Sequence, residues 1–300
     1  MKGACSARLK PRDPGACLMK KKRDAALEYM LQLGITPAKS ASGAREQIRR
    51  VMDVDALTRL LESDEADRDP AAFYRFKNQT LDAGLTFSGA FSGEILRKMC
   101  AEIDARPECF QRSCGTEEAG PASGSGSAPG PARILEVGCD CGIIACFLAK
   151  RFPEAQITGL DRCGESIAAA KELAVRLKLT NAEFLTGTPE TLSPGYDAVV
   201  SLRTMHENCV VADEETLSPE EYEKACTEAL KTYAGALAAL LIPGGHLFTA
   251  ERSDTEELLR AWQAALAAAG ITVLPDSRKD LACSEAGVPS PLALLIGEKN

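Results

Sequence analysis

Ile134-Leu135-Glu136-Val137-Gly138-Cys139-Asp140-Cys141-Gly142 is a short apolar run, interrupted by one carboxylate, that ends in a glycine-bearing turn. Such a run reads as a buried strand. Beyond the turn, Ile143, Ile144, Phe147 and Leu148 recur at helical spacing and stop before Pro153, so the turn joins a strand to a helix. Glycine lets backbone approach a ligand closely, and ligands in open α/β sheets bind at the carboxyl ends of the strands. The turn is therefore the first place to look for a site.

Working outward, strands and helices alternate. A second strand, Gln156 to Leu160, ends at Asp161, and the following helix presents Ile167, Ala170, Ala174 and Leu177 on one stripe. Further strands are expected at Ala182 to Leu185 and at Tyr196 to Leu202. Ser218, Glu221 and Pro219 form the start signal of a long helix that runs to about Leu241. The turn Pro243-Gly244-Gly245 leads into a fifth strand, His246 to Ala250. A helix from about Asp254 to Ala269 and two strands, Ile271 to Leu274 and Leu292 to Ile296, complete seven strands. This alternation predicts an α/β fold with a doubly wound, mostly parallel seven-stranded sheet covered on both faces.

Upstream, residues 115–132 (GTEEAGPASGSGSAPGPA) hold too few apolar groups to order a chain, which predicts a flexible linker. It separates a helical N-terminal region, residues 1–114, from a ligand-binding domain, residues 133–300. In the N-terminal region Ala26, Leu27, Met30 and Leu31 predict one helix, and Ile48, Val51, Leu57, Leu60 and Leu61 a second. A third begins near Pro70, and a fourth runs from about Ser92 through Ile103.

The 300 residues, 45% apolar and 26% charged, suit a soluble globular protein, and no apolar run approaches the ~18 residues that span a bilayer. No membrane partner is expected. The basic N-terminus has no apolar segment behind its charges, so a cytoplasmic location is expected. Twelve cysteines without CxxC spacing, beside only two histidines, argue for free thiols rather than a metal site or disulfides. A net charge of −8 disfavours nucleic acid as a partner. Lys2, Arg8, Lys10, Arg12 and Lys20 to Arg23 form a local basic exception, read as a solvated tail rather than an anion-binding arm.

The turn after the first strand resembles the first motif of class I S-adenosylmethionine-dependent methyltransferases, an acidic residue followed by G-x-G-x-G, with Asp140 standing at the middle glycine. The resemblance continues in order over residues 131–300. Asp161 stands where the family places a carboxylate on the ribose hydroxyls, a group that suits two adjacent donors. Phe184 to Glu190 resembles the third motif, with Thr188 in place of an aspartate that meets adenine, and Thr188 or Glu190 is expected to accept that bond. Tyr196 to Leu202 and Leu241 to Leu247 resemble the fourth- and fifth-strand signatures. The resemblance implies S-adenosyl-L-methionine as cofactor, held by Glu136, Gly138, Cys139, Asp140, Gly142, Asp161, Arg162, Thr188 and Ser201. Glu136 is expected near the methionine end. Cys139 and Cys141 are read as small packing residues.

Methyl transfer from a sulfonium is an in-line displacement, so the protein aligns the acceptor and, where the acceptor carries a proton, supplies a base. In this fold the acceptor meets the methyl beyond the fourth strand, where Ser201-Leu202-Arg203-Thr204-Met205-His206-Glu207-Asn208 is unusually polar. His206 is the candidate base, Glu207 its orienting carboxylate, and Arg203 a two-point contact for an acidic acceptor. The family's Asn/Asp-Pro-Pro-aromatic signature for amino acceptors is absent. A small-molecule acceptor is expected, methylated at oxygen, nitrogen or sulfur. The alternatives are a protein or RNA methyltransferase, and a noncatalytic cofactor-binding protein of this fold. Phe73, Tyr74, Phe76, Phe87 and Phe91 are expected to pack, with some part of the N-terminal region covering the substrate.

Overall fold

The fold is that of a computed structural model, which describes residues 24–63, 69, 71–112, 130–209, 217–252 and 255–300. The basic N-terminal stretch and residues 115–129 of the expected linker lie outside the described residues. Among the described residues, five α-helices and a 3-10 turn, Pro107–Phe110, precede the first strand: α1 (Ala25–Gln32), α2 (Ala41–Ile48), α3 (Val54–Leu61), α4 (Ala71–Lys77) and α5 (Leu81–Ala105). Apolar spacing from Ile48 to Leu61 predicts one helix, whereas the structure has two. The reason is Asp53, whose carboxylate accepts from Asp55 N at 3.0 Å and Ala56 N at 2.9 Å and so caps α3. Helix α5 starts at Leu81 rather than Ser92. Its glycines dilute the apolar stripe but admit close packing: a Cβ on Gly89 would lie 3.1 Å from Ile35 Cγ2.

The second part runs β1 (Arg133–Val137), α6 (Ile143–Arg151), β2 (Gln156–Asp161), α7 (Gly164–Leu177), β3 (Ala182–Thr186), β4 (Tyr196–Leu202) and α8 (Met205–Asn208). It continues with α9 (Pro219–Leu240), β5 (Leu241–Arg252), α10 (Glu256–Ala268), β6 (Ile271–Val273), β7 (Lys279–Leu281), β8 (Ser284–Glu285), β9 (Val288–Pro289) and β10 (Leu292–Lys299). The main sheet has the order β3-β2-β1-β4-β5-β10-β6, with β7 also on β10. Strands β1 to β5 pair in parallel, and β10 is antiparallel to β5, β6 and β7. The α/β class and the mostly parallel sheet are as expected. Two additions were not legible: β7, three residues with two charges, and the short β8–β9 hairpin. Strand five is also longer than expected. It begins at Leu241, and Ile242 to Gly245 bulge opposite Asp197 before pairing resumes at His246.

Side-chain alternation along β1 sends its residues to opposite layers. Ile134 joins Met99 and Ile103 of α5 and Ile144, Phe147 and Leu148 of α6 in one core, whereas Leu135 and Val137 join Tyr233, Leu237 and Trp262 of α9 and α10 in another. Glu136 therefore points to the layer that the N-terminal helices cover. Tyr29 of α1 donates its hydroxyl to Ile143 O at 2.7 Å, tying that region to the start of α6. The strand order reverses between β1 and β4, so the crevice at a topological switch point opens beyond their carboxyl ends. Among the described residues no helix is long and apolar enough to cross a membrane.

Candidate active site

A cavity of about 400 Å³ occupies that crevice, within the ~300–1,000 Å³ common for small-molecule sites. Its floor is Glu136 to Cys141 from the first turn, Leu160 to Arg162 from the end of β2, and Leu202 to Thr204 from the end of β4. Its roof comes from the N-terminal region, with Phe73, Tyr74 and Lys77 of α4 and Phe87, Ser88 and Phe91 of α5. Phe76 is not part of the wall; it packs with Ile48 and Leu57.

The first turn is held by backbone and by one carboxylate. Gly138 has φ +70°, and its N–H donates to Leu160 O at 2.8 Å. A Cβ there would lie 2.4 Å from Thr204 Cγ2, so the glycine is required by the neighbouring loop as well as by any ligand. Asp161 Oδ2 accepts from Asp140 N at 2.8 Å and Oδ1 from Cys163 N at 2.9 Å. The carboxylate thus braces the turn and the start of α7, and it retains lone pairs toward the cavity. Burial raises its pKa, against these two backbone bonds. Gly142 takes a left-handed conformation at the start of α6 and faces α7 rather than the cavity, because a Cβ there would meet Ala170 Cβ at 2.8 Å.

Asp140 stands in the left-handed region, φ +48°, and its carboxylate is enclosed by the N-terminal helices. Lys77 forms an ion pair with Oδ2, Asn78 Nδ2 donates to Oδ1 at 2.7 Å, and Ser88 donates to Oδ2 at 3.2 Å. Burial works against the charge, yet Lys77 and these donors hold the carboxyl below its ordinary range. Glu136 is different: it is buried, and its Oε2 has no hydrogen-bond partner. Burial pushes its carboxyl well up. Cys139 and Cys141 are buried with thiols pushed up by burial, which keeps them protonated.

The loop after β4 carries the second half of the site. Arg203, at φ +59°, pairs with Glu285 Oε1 of β8 at 2.6 Å and donates to Ser92 at 3.0 Å. Arg252 pairs with the other oxygen of Glu285. Burial alone would raise the Glu285 carboxyl, but Arg203 and Arg252 hold it down. Glu207 accepts from the Tyr74 hydroxyl and lies 3.4 Å from Arg162, which draws α4, α8 and the end of β2 together over the cavity.

Of the candidate residues, Glu136, Gly138, Cys139, Asp140, Asp161, Arg162, Thr188, Arg203 and Glu207 line one cavity. Gly142, Ser201 and His206 do not. Ser201 is fully buried behind the wall, bonded to Thr204 at 2.6 Å and Glu251 at 2.9 Å. His206 is exposed, with Nε2 3.1 Å from Arg252 O. Neighbouring positions on a helix diverge by about 100°, so Glu207 turns inward while His206 turns away, and the expected pairing of the two does not form. Glu190 also lies off the wall, leaving Thr188 beside Gly187 and Pro189.

Residues 134–245 match a family model described as a methyltransferase domain. That segment, from β1 to the bulge of β5, is thus similar to methyltransferase domains, as the motifs imply. Among curated methyltransferases, a trans-aconitate 2-methyltransferase of Streptomyces avermitilis is 38% identical over 81 residues, 25% of this chain and 29% of that protein. A tRNA1(Val) (adenine(37)-N6)-methyltransferase of Porphyromonas gingivalis is 26% identical over 142 residues, 45% of this chain and 55% of that protein. The chain thus spans about a third to half of these relatives. A solved magnesium protoporphyrin IX methyltransferase from Synechocystis PCC 6803 superposes with a TM-score of 0.44 at 15% identity, covering 74% of this chain and 83% of that one.

Several wall residues of this cavity are not legible in the sequence: Lys77, Ser88, Ser92, Arg252 and Glu285. They come from outside the family motifs, and each reads locally as an ordinary helix or strand residue. The one available signal was Asp140. A carboxylate at a buried turn needs a cationic partner, but only the fold shows that Lys77 supplies it.

Proposed function

We propose that the protein transfers the methyl group of S-adenosylmethionine to a small, acidic acceptor. The observation that carries this reading is the convergence of the unpartnered acid Glu136, the glycine turn and Asp161 on one cavity at the switch point. These residues fit the cofactor: Asp161 has free lone pairs for ribose hydroxyls, Thr188 a hydroxyl for the base, and Glu136 an open acceptor for the amino-acid end. When bound, S-adenosylmethionine supplies an electrophilic methyl on a sulfonium sulfur. Arg162 and Glu207, with Tyr74, bridge the rim of the cavity.

The acceptor end favours an acid. Arg203 and Arg252 share one carboxylate, Glu285, so that this corner of the wall, near Phe87 and Phe91, carries one local positive charge in excess. A carboxylate acceptor carries no proton at neutral pH, so its methylation needs no base, in keeping with His206 standing outside the cavity. One of the partial relatives is named for an acid, trans-aconitate. The other is named for tRNA, but a net charge of −8 disfavours a polyanion.

Isothermal titration with S-adenosylmethionine, S-adenosylhomocysteine and NAD tests the cofactor. Binding of the first two and not the third is expected; the reverse would sink the reading. For the acceptor, a panel of carboxylic acids and their amides is incubated with methyl-labelled S-adenosylmethionine. Label in alkali-labile esters is expected, and His206→Ala should stay within about threefold of the parent, since removing a catalytic base would cost about 10²- to 10⁴-fold. Arg203→Lys, which loses the planar fork, should raise the acceptor KM.

A further inference from the structure

Lys77 is the least exposed cation in the cavity wall, at 6%. An ammonium carries three N–H donors, and a buried one without acceptors is costly. Among the described residues Lys77 has a single hydrogen-bond acceptor, Asp140. The faces of Tyr74 and Phe87 lie 5.7 and 5.6 Å from the nitrogen and contribute no lone pair. Its remaining donors therefore have nowhere to go but the cavity that it lines.

The carboxylates nearby are in the opposite condition to one another. Asp140 is fully engaged by Lys77, Asn78 and Ser88, so it serves as a fixed counter-ion and has little left for a ligand. Glu136 is buried in the same wall with Oε2 free. One under-used cation and one under-used carboxylate in a single pocket match a ligand that carries an anion and a cation together. A free α-amino-acid end, carboxylate plus ammonium, has that character.

Resting on the methyltransferase reading above, we infer that Lys77 of α4 takes the carboxylate, and Glu136 the ammonium, of the cofactor's amino-acid end, so that the N-terminal region builds half of the cofactor site. Asp140, in place of the motif's middle glycine, is the residue that holds the Lys77 ammonium in position. The rival account is that Lys77 and Asp140 form only a clasp that docks α4 onto the turn. The two accounts part on ligand selectivity. A clasp affects every ligand of the turn alike, whereas a carboxylate contact affects only ligands that have a carboxylate.

The experiment is calorimetric titration of the full chain with S-adenosylhomocysteine and with 5′-methylthioadenosine, a nucleoside thioether that lacks the amino-acid end. The parent should bind S-adenosylhomocysteine at least tenfold more tightly. Lys77→Met should weaken S-adenosylhomocysteine tenfold or more while moving 5′-methylthioadenosine less than twofold, and Lys77→Arg should restore part of the loss. Lys77→Met/Asp140→Asn removes both charges of the pair and keeps the comparison readable if the single variant unfolds. Glu136→Gln should show the same selective loss. Equal losses for the two ligands, or none for either, would overturn the inference in favour of the clasp. A parent that binds neither ligand would overturn the methyltransferase reading and this inference with it.

Discussion

At Gly138 two demands meet in one residue: a left-handed backbone, φ +70°, and 2.4 Å between a would-be Cβ and Thr204 Cγ2. Gly138→Ala should therefore lower stability by about 1–3 kcal/mol, the usual scale for a side chain forced into that conformation. Thr204→Ser deletes the clashing methyl and keeps the hydroxyl that meets Tyr233 at 2.6 Å. The double variant should regain part of the loss in urea unfolding; strict additivity would show that the contact is not the cause. Asp161 also carries two duties. Because Asp140 N and Cys163 N both donate to it, Asp161→Ala should lower the thermal midpoint of the apo protein as well as weaken cofactor binding. Each abandoned backbone N–H costs about 1–3 kcal/mol if left unpaired. An unchanged midpoint would contradict the bracing role. The acidic residue and glycine at 136 and 138 were legible as a site from their position after an apolar strand, but the bracing of Asp140 by Asp161 was not, since it joins two turns through backbone.

Helices of the N-terminal region are held by local caps and by their grip on the sheet. Asp53 ends the chain's freedom between α2 and α3, and Asp53→Ala should cost about 1 kcal/mol in urea unfolding, with a small loss of helicity by circular dichroism. No change in either would remove the cap from the account of why one apolar stripe becomes two helices. Apolar spacing carries no trace of a single aspartate whose side chain bonds the backbone beside it. The same limit explains α5. Its start at Leu81, capped by Thr80 accepting from Ala83 N at 3.2 Å, is hidden by Gly84, Ser88, Gly89 and Gly93, whose value lies in close packing rather than in apolar area.

Across the molecule, buried acids whose carboxyls are pushed up make stability depend on pH, and Glu251, outside the cavity, does so independently of the site. Glu251, 2% exposed, receives Ser201, Thr249 and Met205 N, yet burial raises its pKa from the ordinary 4.5 to about 7. The folded carboxyl holds its proton more tightly than the unfolded one. Its stabilising contribution is complete below the unfolded value and is lost as pH rises through about 7. Glu251→Gln keeps a similar shape and cannot titrate, so its stability should fall less than the parent's between about pH 5 and 8 in thermal melts. Parallel curves for the two proteins would show that Glu251 is ionised throughout. Ligand should act on the whole chain as well. Because roof and floor of the cavity come from different halves, S-adenosylhomocysteine should increase amide protection in α4 and in the β1 turn together, and raise the midpoint by mass action. Protection confined to the sheet would contradict a shared site.

The sequence by itself determined the strand–turn–helix alternation, the parallel sheet and the turn from Gly138 to Gly142, because each depends on periodicity and turn chemistry within a dozen or so residues. It also marked Glu136, Asp161 and the polar run after β4 as the material of a site. What only the tertiary structure decided is which of those side chains face one another. His206 and Ser201 belong to that run but turn to solvent and to the core, as neighbours on a short helix and on a strand must. Lys77, Arg252 and Glu285 carry no motif, yet the fold brings them from α4, β5 and β8 to the cavity that the motif opens. Charges distant in the chain acquire partners only when the core removes the water between them.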